Sequence, residues 1–368
     1  MRPIFTRVQL ANVCNQFQLP SAFADGSPYG SGHINDTFLI TLATPERFIL
    51  QRINQKVFPD VPALMENIRR VTHHAAHKLG QASAPADRNR VLSLVPTRDG
   101  RPFLCDAAGD YWRIYDFIEG ARTHDVLQEP KQARAAAFAF GQFQELLADL
   151  PAPRLHETIP YFHHTRKRFD ALERVIAADP HGRAAHASPE IAAARERAIM
   201  ADRLLGLQAA GRIPERITHN DTKLNNVMLD DTTGQGICVI DLDTVMPGLA
   251  LYDFGDMVRT TTNSAAEDET DLTKIHARLP VFEALVEGYL EAAGRFLLPA
   301  EVDELVFAGR LLTFENGIRF LTDYLQGDTY YKIARPSHNL DRTRAQFALL
   351  RSMEAQATEM ASLVRRHR

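Results

Sequence analysis

The stretch ITHNDTKLNNVMLDDTTGQGICVIDLDT, residues 217–244, decides how the chain is read. It sets His219, Asp221, Lys223, Asn225, Asn226, Asp241 and Asp243 among apolar residues that favour burial. Polar groups beside a core cost free energy unless they are paired or put to use. Two short strands are expected here, around NNVMLD and GICVIDLD, joined by the turn DTTGQG.

Phosphoryl transfer needs a phosphate cover, a cation near the phosphates, a metal held by carboxylate and amide oxygens, and a carboxylate facing the acceptor hydroxyl. The stretch supplies the last two. His219 to Asn226 fits H-x-D-x-x-x-x-N, the register of a kinase catalytic loop. In that register Asp221 accepts from or orients the acceptor hydroxyl, and Asn226 turns an amide oxygen to Mg²⁺. Lys223 could neutralise charge on the transferring phosphoryl group. Asp241 ends the apolar run GICVI and can reach the same metal, since hard oxygen ligands suit Mg²⁺. The short motif alone reads equally as a capped turn; an Asp at a strand end and a strand–glycine turn–strand upstream are the context that favours the kinase reading.

That upstream segment is SPYGSGHINDTFLITL followed by RFILQRI. It lacks a full G-x-G-x-x-G. Backbone amides from Gly30 through Gly32 and His33 to Asn35 could cover phosphates, or the segment is an ordinary hairpin. The phosphate cation belongs on the next strand, which has no lysine. Arg52, able to bind phosphate bidentately, is the expected replacement, with Gln51 on the opposite face as the rival. Glu66, in the amphipathic helix VPALMENIRRVTHHAAHKL, could pair with that cation or lie in solvent. Asp116, Phe117 and Ile118 would form the hinge whose backbone meets adenine. Period two puts Asp243 on the side of Asp241, to bind metal or acceptor or to orient the loop. Asp253 would cap a helix or pair with Arg259. His163 and His164 have no third ligand at metal spacing and are read as surface residues.

A chain of 368 residues exceeds one typical core, and two lobes are expected. The pattern is α+β: residues 1–118 are β-rich and bind nucleotide, and residues 119–368 are helical with the hairpin embedded. Helices are expected over PKQARAAAFAFGQFQELLADL, over ASPEIAAARERAIMADRLLGLQAA with Ser188 as N-cap, and within 280–325 and 341–365. Net charge −4 argues against nucleic acid as partner. Cys14, Cys105 and Cys238 form neither a disulfide framework nor a zinc site. No run approaches the roughly 18 apolar residues of a membrane span, and the N-terminus has no apolar signal core, so a reducing cytoplasm is the simplest compartment.

These residues resemble the aminoglycoside phosphotransferase and choline kinase superfamily, which implies a bilobal protein-kinase-like fold using ATP and Mg²⁺. The usual pattern there is H-G-D-x-x-x-x-N, then I-D-x-x-x-x-x-G-D-P-x-x-D. Here Asn220 replaces the glycine, and Pro247-Gly248 stands where Gly-Asp-Pro is usual. A longer run of motifs resembles the N-acetylhexosamine 1-kinases: YGSGHIN, FILQRIN, WRIYDFIE, THNDTKLNNVMLD, IDLDTVMPG, YDFGD, GIRFLTDYLQGDTYY and HNLDRTR. That resemblance implies phosphate transfer from ATP to the anomeric hydroxyl of N-acetylglucosamine or N-acetylgalactosamine. It implies Asp221 as base, Asn226 and Asp241 as metal ligands, and a sugar site in the late segment. Arg319, a forked donor, and Tyr330, an aromatic surface, are the sugar-site candidates, with Asp323 one turn from Arg319 and able to pair with it. The expected partners are the sugar and ATP alone, in a monomer or weak homodimer.

Overall fold

Alternation of apolar and polar residues builds the small lobe. In the computed structural model, which describes residues 5–30, 32, 34–82 and 91–368, six strands form one antiparallel sheet. These are β1 (Phe23–Pro28), β2 (Asp36–Leu42), β3 (Arg47–Arg52), β4 (Leu94–Val95), β5 (Leu104–Cys105) and β6 (Tyr111–Asp116). Their order is β1-β2-β3-β6-β4, with β5 also on β6. Phe38 and Ile40 of β2, Phe48 and Leu50 of β3, and Trp112 and Ile114 of β6 share one buried face with helix α1 (Arg7–Cys14). Burial there pushes the Cys14 thiol up to about 12, which leaves it inert. The opposite face carries Ile49, Gln51, Arg113 and Tyr115 and looks into a cleft. Helix α2 (Val61–Ala82) buries Leu64, Ile68 and Val71 in the core of the large lobe.

The large lobe opens with β7 (Ala121–Arg122) and helices α3 (Pro130–Leu147), α4 (Thr165–Ala178), α5 (Ser188–Glu196) and α6 (Arg203–Ala209). Strands β8 (Arg216–Thr218), β9 (Val227–Asp230), β10 (Gly236–Val239) and β11 (Met246–Gly248) follow, then α7 (Ala250–Thr262). It ends with α8 (Leu279–Ala293), α9 (Pro299–Asp303), α10 (Leu305–Leu325), α11 (His338–Ala355) and α12 (Ala357–His367). The expected hairpin is β9–β10, extended by β7 on β9, while β8 pairs with β11. Together these two ladders hold both ends of the 219–226 loop. Helix α7 lies against α10 backbone to backbone at Gly255, where a Cβ would stand 2.4 Å from the Ala308 carbonyl oxygen. No helix among the described residues is long and apolar enough to cross a membrane.

The single helix expected over residues 187–210 is broken. A 3₁₀ turn, Ala198–Asp202, separates α5 from α6. It leaves Ile199 exposed and brings Met200 and Leu204 into the core. Ser188 is the first helical residue rather than the N-cap, which is Ala187 without a side-chain cap bond.

Candidate functional site

The 219–226 loop is held from below by α7. Asp253, fully buried in its first turn, accepts from the backbone N–H groups of His219 (2.9 Å) and Asn220 (2.7 Å) and from Gln144 Nε2 (2.6 Å). Asp256 accepts from the Thr222 N–H (3.0 Å) and from both Nε (3.0 Å) and Nη2 (2.8 Å) of Arg259. Asp253 therefore neither caps a helix nor meets Arg259; it anchors the loop. Asn220 explains its own departure from glycine. It has φ +65°, a region glycine enters freely and Asn tolerates best among other residues. Its side chain secures that turn by accepting from Thr218 Oγ1 (3.0 Å) and donating to the Thr244 carbonyl (2.9 Å). His219 donates from Nε2 to the Ile240 carbonyl (2.9 Å), which ties the loop to the end of β10.

Asp221 and Lys223 pair at 2.7 Å. Burial would raise the Asp221 carboxyl, but the Lys223 ammonium outweighs it and holds the carboxyl below the usual range. The same attraction, against burial, raises Lys223. Asn226 spends its Nδ2 on the Asp221 carbonyl (2.8 Å) and carboxylate (3.2 Å). No hydrogen bond among the described residues uses its amide oxygen, and Asn226 lines one cavity with Asp241. Asp241 adopts φ +59° at the exit of β10. Burial, then the charges of Asp243 and Asp221, push its carboxyl up to about 6. A carboxylate crowded by two others is stabilised by a divalent cation, so this oxygen set fits Mg²⁺. Among the described residues no three His, Cys, Asp or Glu side chains cluster at metal spacing, so such an ion would share Asn226 and Asp241 with oxygens of its nucleotide.

The cleft above is a cavity of about 370 Å³. Gly30, with φ +75°, and Gly32 form its roof. Ile49, Leu92, Tyr115, Phe117, Ile118, Met228 and Ile240 give it an apolar slot, and Thr37, Gln51, Arg113, Asn226 and Asp241 a polar end. Phe117 contributes its ring, with the Arg47 guanidinium 4.0 Å above it, because its N–H is spent on the Arg47 carbonyl (3.2 Å). His33 lies outside the described residues.

Arg52 does not reach the cleft. Period two places it with Phe48 and Leu50 on the α1 face, where it bonds Asp36 (2.7 Å) and Asp110 (3.1 Å). Gln51 faces the cleft, and the cation on the same face of the sheet is Arg113, its direct cross-strand neighbour, while Arg122 of β7 lines the cleft from the large lobe. Arg113 donates to Gln51 Oε1 (2.9 Å) and to Asp243 Oδ1 (2.5 Å). Asp243 is buried in this pair and accepts also from Asn35 Nδ2 (2.6 Å). It is thus a strut, not a metal or acceptor ligand. The alternation argument fails for it because β10 ends at Val239, and Leu242–Thr244 is a 3₁₀ turn. The Asn35 side chain is likewise committed, since its Oδ1 accepts from the Asn54 N–H (3.0 Å), and it ties the glycine turn to the segment after β3. Glu66 pairs with His156 (3.0 Å) and, among the described residues, with no strand cation. Arg113 was legible in YWRIYDF: it is the one cation on the face of β6 opposite Trp112 and Ile114.

Beside the 219–226 loop, α10 and the segment before α4 form a second wall, joined to the loop where His163 bonds Glu315 and the Asn220 carbonyl. Arg319 has no hydrogen bond to a described residue; its guanidinium lies 5.4 Å from the Phe162 ring and 5.8 Å from that of Tyr331. The Tyr331 hydroxyl is buried without a hydrogen-bond partner among the described residues. Tyr330 stands 66% exposed with its ring edge-on to Tyr331, so Tyr331 rather than Tyr330 supplies the aromatic surface beside Arg319. Asp323 does not pair with Arg319. It accepts the backbone N–H groups of Thr329, Tyr330 and Tyr331 and the amide of Asn339, and so shapes the segment that carries Tyr331. His163 is buried, not a surface residue: it sits between Glu315 (2.7 Å) and the Asn220 carbonyl (3.0 Å). His164 accepts from the Lys167 N–H at the start of α4.

A β-rich lobe and a helical lobe over one cleft, with Asn226 and Asp241 in its lining and Asp221 hydrogen-bonded to Asn226, put the chain in the class of kinase-like phosphotransferases. The model of the phosphotransferase enzyme family matches residues 25–304, and the chain belongs to that family. Its fold is similar to that of an aminoglycoside phosphotransferase from Alicyclobacillus acidocaldarius, with a TM-score of 0.64, 14% identity, and coverage of 100% of this chain and 98% of that one. A choline kinase from Cryptosporidium parvum aligns with a TM-score of 0.54 and 14% identity over 96% of each chain. An amicoumacin kinase in complex with AMP-PNP and Ca²⁺ aligns with a TM-score of 0.59 and 12% identity, over 94% of this chain and 93% of that one.

Proposed function

We propose that the protein transfers the terminal phosphoryl group of ATP to the anomeric hydroxyl of an N-acetylhexosamine. The observation that carries the reading is the loop of Asp221: Asp221 is hydrogen-bonded to Asn226, which lines the cleft with Asp241, and the Asn220 carbonyl before it is tied through His163 to α10, the helix of Arg319. The apolar slot below Gly30 suits a base, and the polar end of the cleft suits phosphates. Asn226 and Asp241 would hold Mg²⁺, which when bound neutralises phosphate charge. Arg113 supplies the positive charge of the small lobe, from β6 rather than β3. Lys223 keeps Asp221 ionised, so its carboxylate can orient the acceptor hydroxyl and take its proton late, as a loose transition state allows.

Phosphotransfer to a small acceptor follows from family and site; the sugar is the finer step. It is supported by the run of N-acetylhexosamine 1-kinase-like motifs, which spans both lobes. It is supported too by the Arg319 guanidinium and the Tyr331 hydroxyl, neither hydrogen-bonded to a described residue, beside aromatic rings, which suit a polar, hydroxyl-rich acceptor. An anomeric hydroxyl is more acidic than its neighbours, which suits a carboxylate base of low pKa. The test is an acceptor panel with ATP and Mg²⁺, covering N-acetylglucosamine, N-acetylgalactosamine, plain hexoses, choline and aminopropanol, with products read by phosphorus NMR. An acid-labile, non-reducing sugar 1-phosphate is expected. A reducing 6-phosphate, or preferred turnover of an amino alcohol, overturns the sugar reading and leaves the phosphotransferase.

A further inference from the structure

His163 lies outside the cleft, and no step of the transfer above uses it. It stands where the acceptor wall meets the catalytic loop. Its Nδ1 is 2.7 Å from Glu315 Oε1 on α10, and its Nε2 is 3.0 Å from the carbonyl oxygen of Asn220. A carboxylate and a carbonyl only accept. With Glu315 held ionised by its neighbours, both ring nitrogens donate and the ring is an imidazolium. Glu315 is set up as its counter-ion: Oε2 accepts from Thr165 Oγ1 (2.6 Å), so both carboxylate oxygens are used as acceptors. The ring is buried between Phe162 (4.6 Å) and Tyr252 (5.3 Å), where a charge without its partner would be costly. The other charges bearing on the pair are Asp256 on α7, Arg319 one turn beyond Glu315, and Arg168 on α4.

The bond to Asn220 has a consequence for Asp221. The peptide group between these residues is gripped at both ends: its carbonyl by His163, and its N–H by Nδ1 of His219 (3.3 Å). Asn220 has φ +65°, a conformation that persists when surrounding contacts over-determine it. The plane of this peptide sets the direction in which the Asp221 side chain leaves the backbone.

We propose that His163 is a positioning residue which, as an imidazolium between Glu315 and the Asn220 carbonyl, fixes the direction of the Asp221 side chain relative to α10. The proposal rests on Asp221 acting in phosphotransfer. It also makes α10 the element through which acceptor contacts at Arg319 reach the catalytic loop.

The test uses H163A and the double variant H163Q/E315Q, in which two neutral amides can replace the ion pair. H163A should lose kcat on the order of 10²-fold, as small misplacements of reacting groups do, with KM for ATP within about twofold of wild type. The double variant should recover most of that loss and lack the alkaline limb that wild-type kcat shows as His163 deprotonates. Should H163A not fold, the double variant against wild type still reads the alkaline limb. Two measurements need no turnover. Nitrogen NMR should show both ring nitrogens of His163 still protonated above the ordinary imidazole value of about 6.5, assigned by loss of the signal in H163Q, and amide exchange at Asp221 should be faster in H163A. A neutral ring, unchanged exchange, or unchanged kcat in a folded H163A overturns the proposal. A wild type that phosphorylates nothing on the panel overturns the functional reading instead, while the ring and exchange data still decide the role of His163.

Discussion

Asn35 donates its side-chain amide to Asp243 at 2.6 Å, across 208 residues of sequence. The glycine turn of the small lobe and the loop that presents Asp241 are thus joined through one buried carboxylate, which Arg113 also binds. Removing that carboxylate strands the Arg113 charge, 1% exposed. Asp243→Ala should cost about 3–5 kcal/mol, the range for breaking a buried pair from one side, and should abolish nucleotide binding. The double change to Asp243→Leu and Arg113→Met should restore much of the stability but not the activity. Chemical denaturation with nucleotide titration checks both; a double variant that regains turnover would show the pair to be packing alone.

Asp221→Asn removes the acceptor for the substrate proton but leaves the cleft. Nucleotide affinity should be retained while turnover falls about 10²–10⁴-fold, the range for a general base. Lys223 loses its partner and its ammonium should become easier to deprotonate, since Asp221 is what raises it. Activity within twofold of wild type would remove Asp221 from the reaction.

Arg52→Ala should leave the KM for ATP unchanged, because Arg52 bonds Asp36 and Asp110 behind the sheet. Its loss should appear only as about 0.2–1 kcal/mol of stability, the value of partly exposed pairs. Arg113→Ala should raise the KM for ATP more than that for the acceptor. A KM change confined to Arg52→Ala would place the phosphates on the wrong face of the sheet as described.

These outcomes mark where sequence reading reaches its limit. Local spacing carried the strands, the 219–226 loop and the lobes, because period two, turn residues and the H-x-D-x-x-x-x-N register are local. The side of the sheet facing the cleft was also legible: Phe48 and Leu50 share a parity with Arg52, and core residues take their neighbours with them. Asp253, Asp243 and His163 were not. Each is tied to partners more than thirty residues away, Asp253 to the N–H of His219, Asp243 to Asn35 and Arg113, and His163 to Glu315. No periodicity encodes such pairs. Their only sequence trace is a charged residue amid apolar neighbours, which a surface turn shares.

The His163–Glu315 pair should give stability its pH dependence. Burial alone would lower the imidazole, but Glu315 outweighs it and holds the ring above its ordinary value of 6.5. Burial alone would raise the Glu315 carboxyl, but His163 outweighs it and holds the carboxyl below 4.5. The sign follows from which state binds the proton more tightly. The raised histidine adds stability that is complete below pH 6.5 and is lost as pH rises through its folded value. The lowered glutamate adds stability that is complete above pH 4.5 and is lost as pH falls through its folded value. The difference in Tm between wild type and H163Q/E315Q should therefore be greatest between these two values and shrink on either side. Asp241, pushed up to about 6, also makes stability vary with pH, but it is present in both proteins and cancels in the difference. Differential scanning calorimetry from about pH 4 to about pH 9 measures it, over the span in which both groups change charge. A Tm difference constant across that span would mean that the pair carries no charge, and that the Asn220 carbonyl is held by a neutral ring.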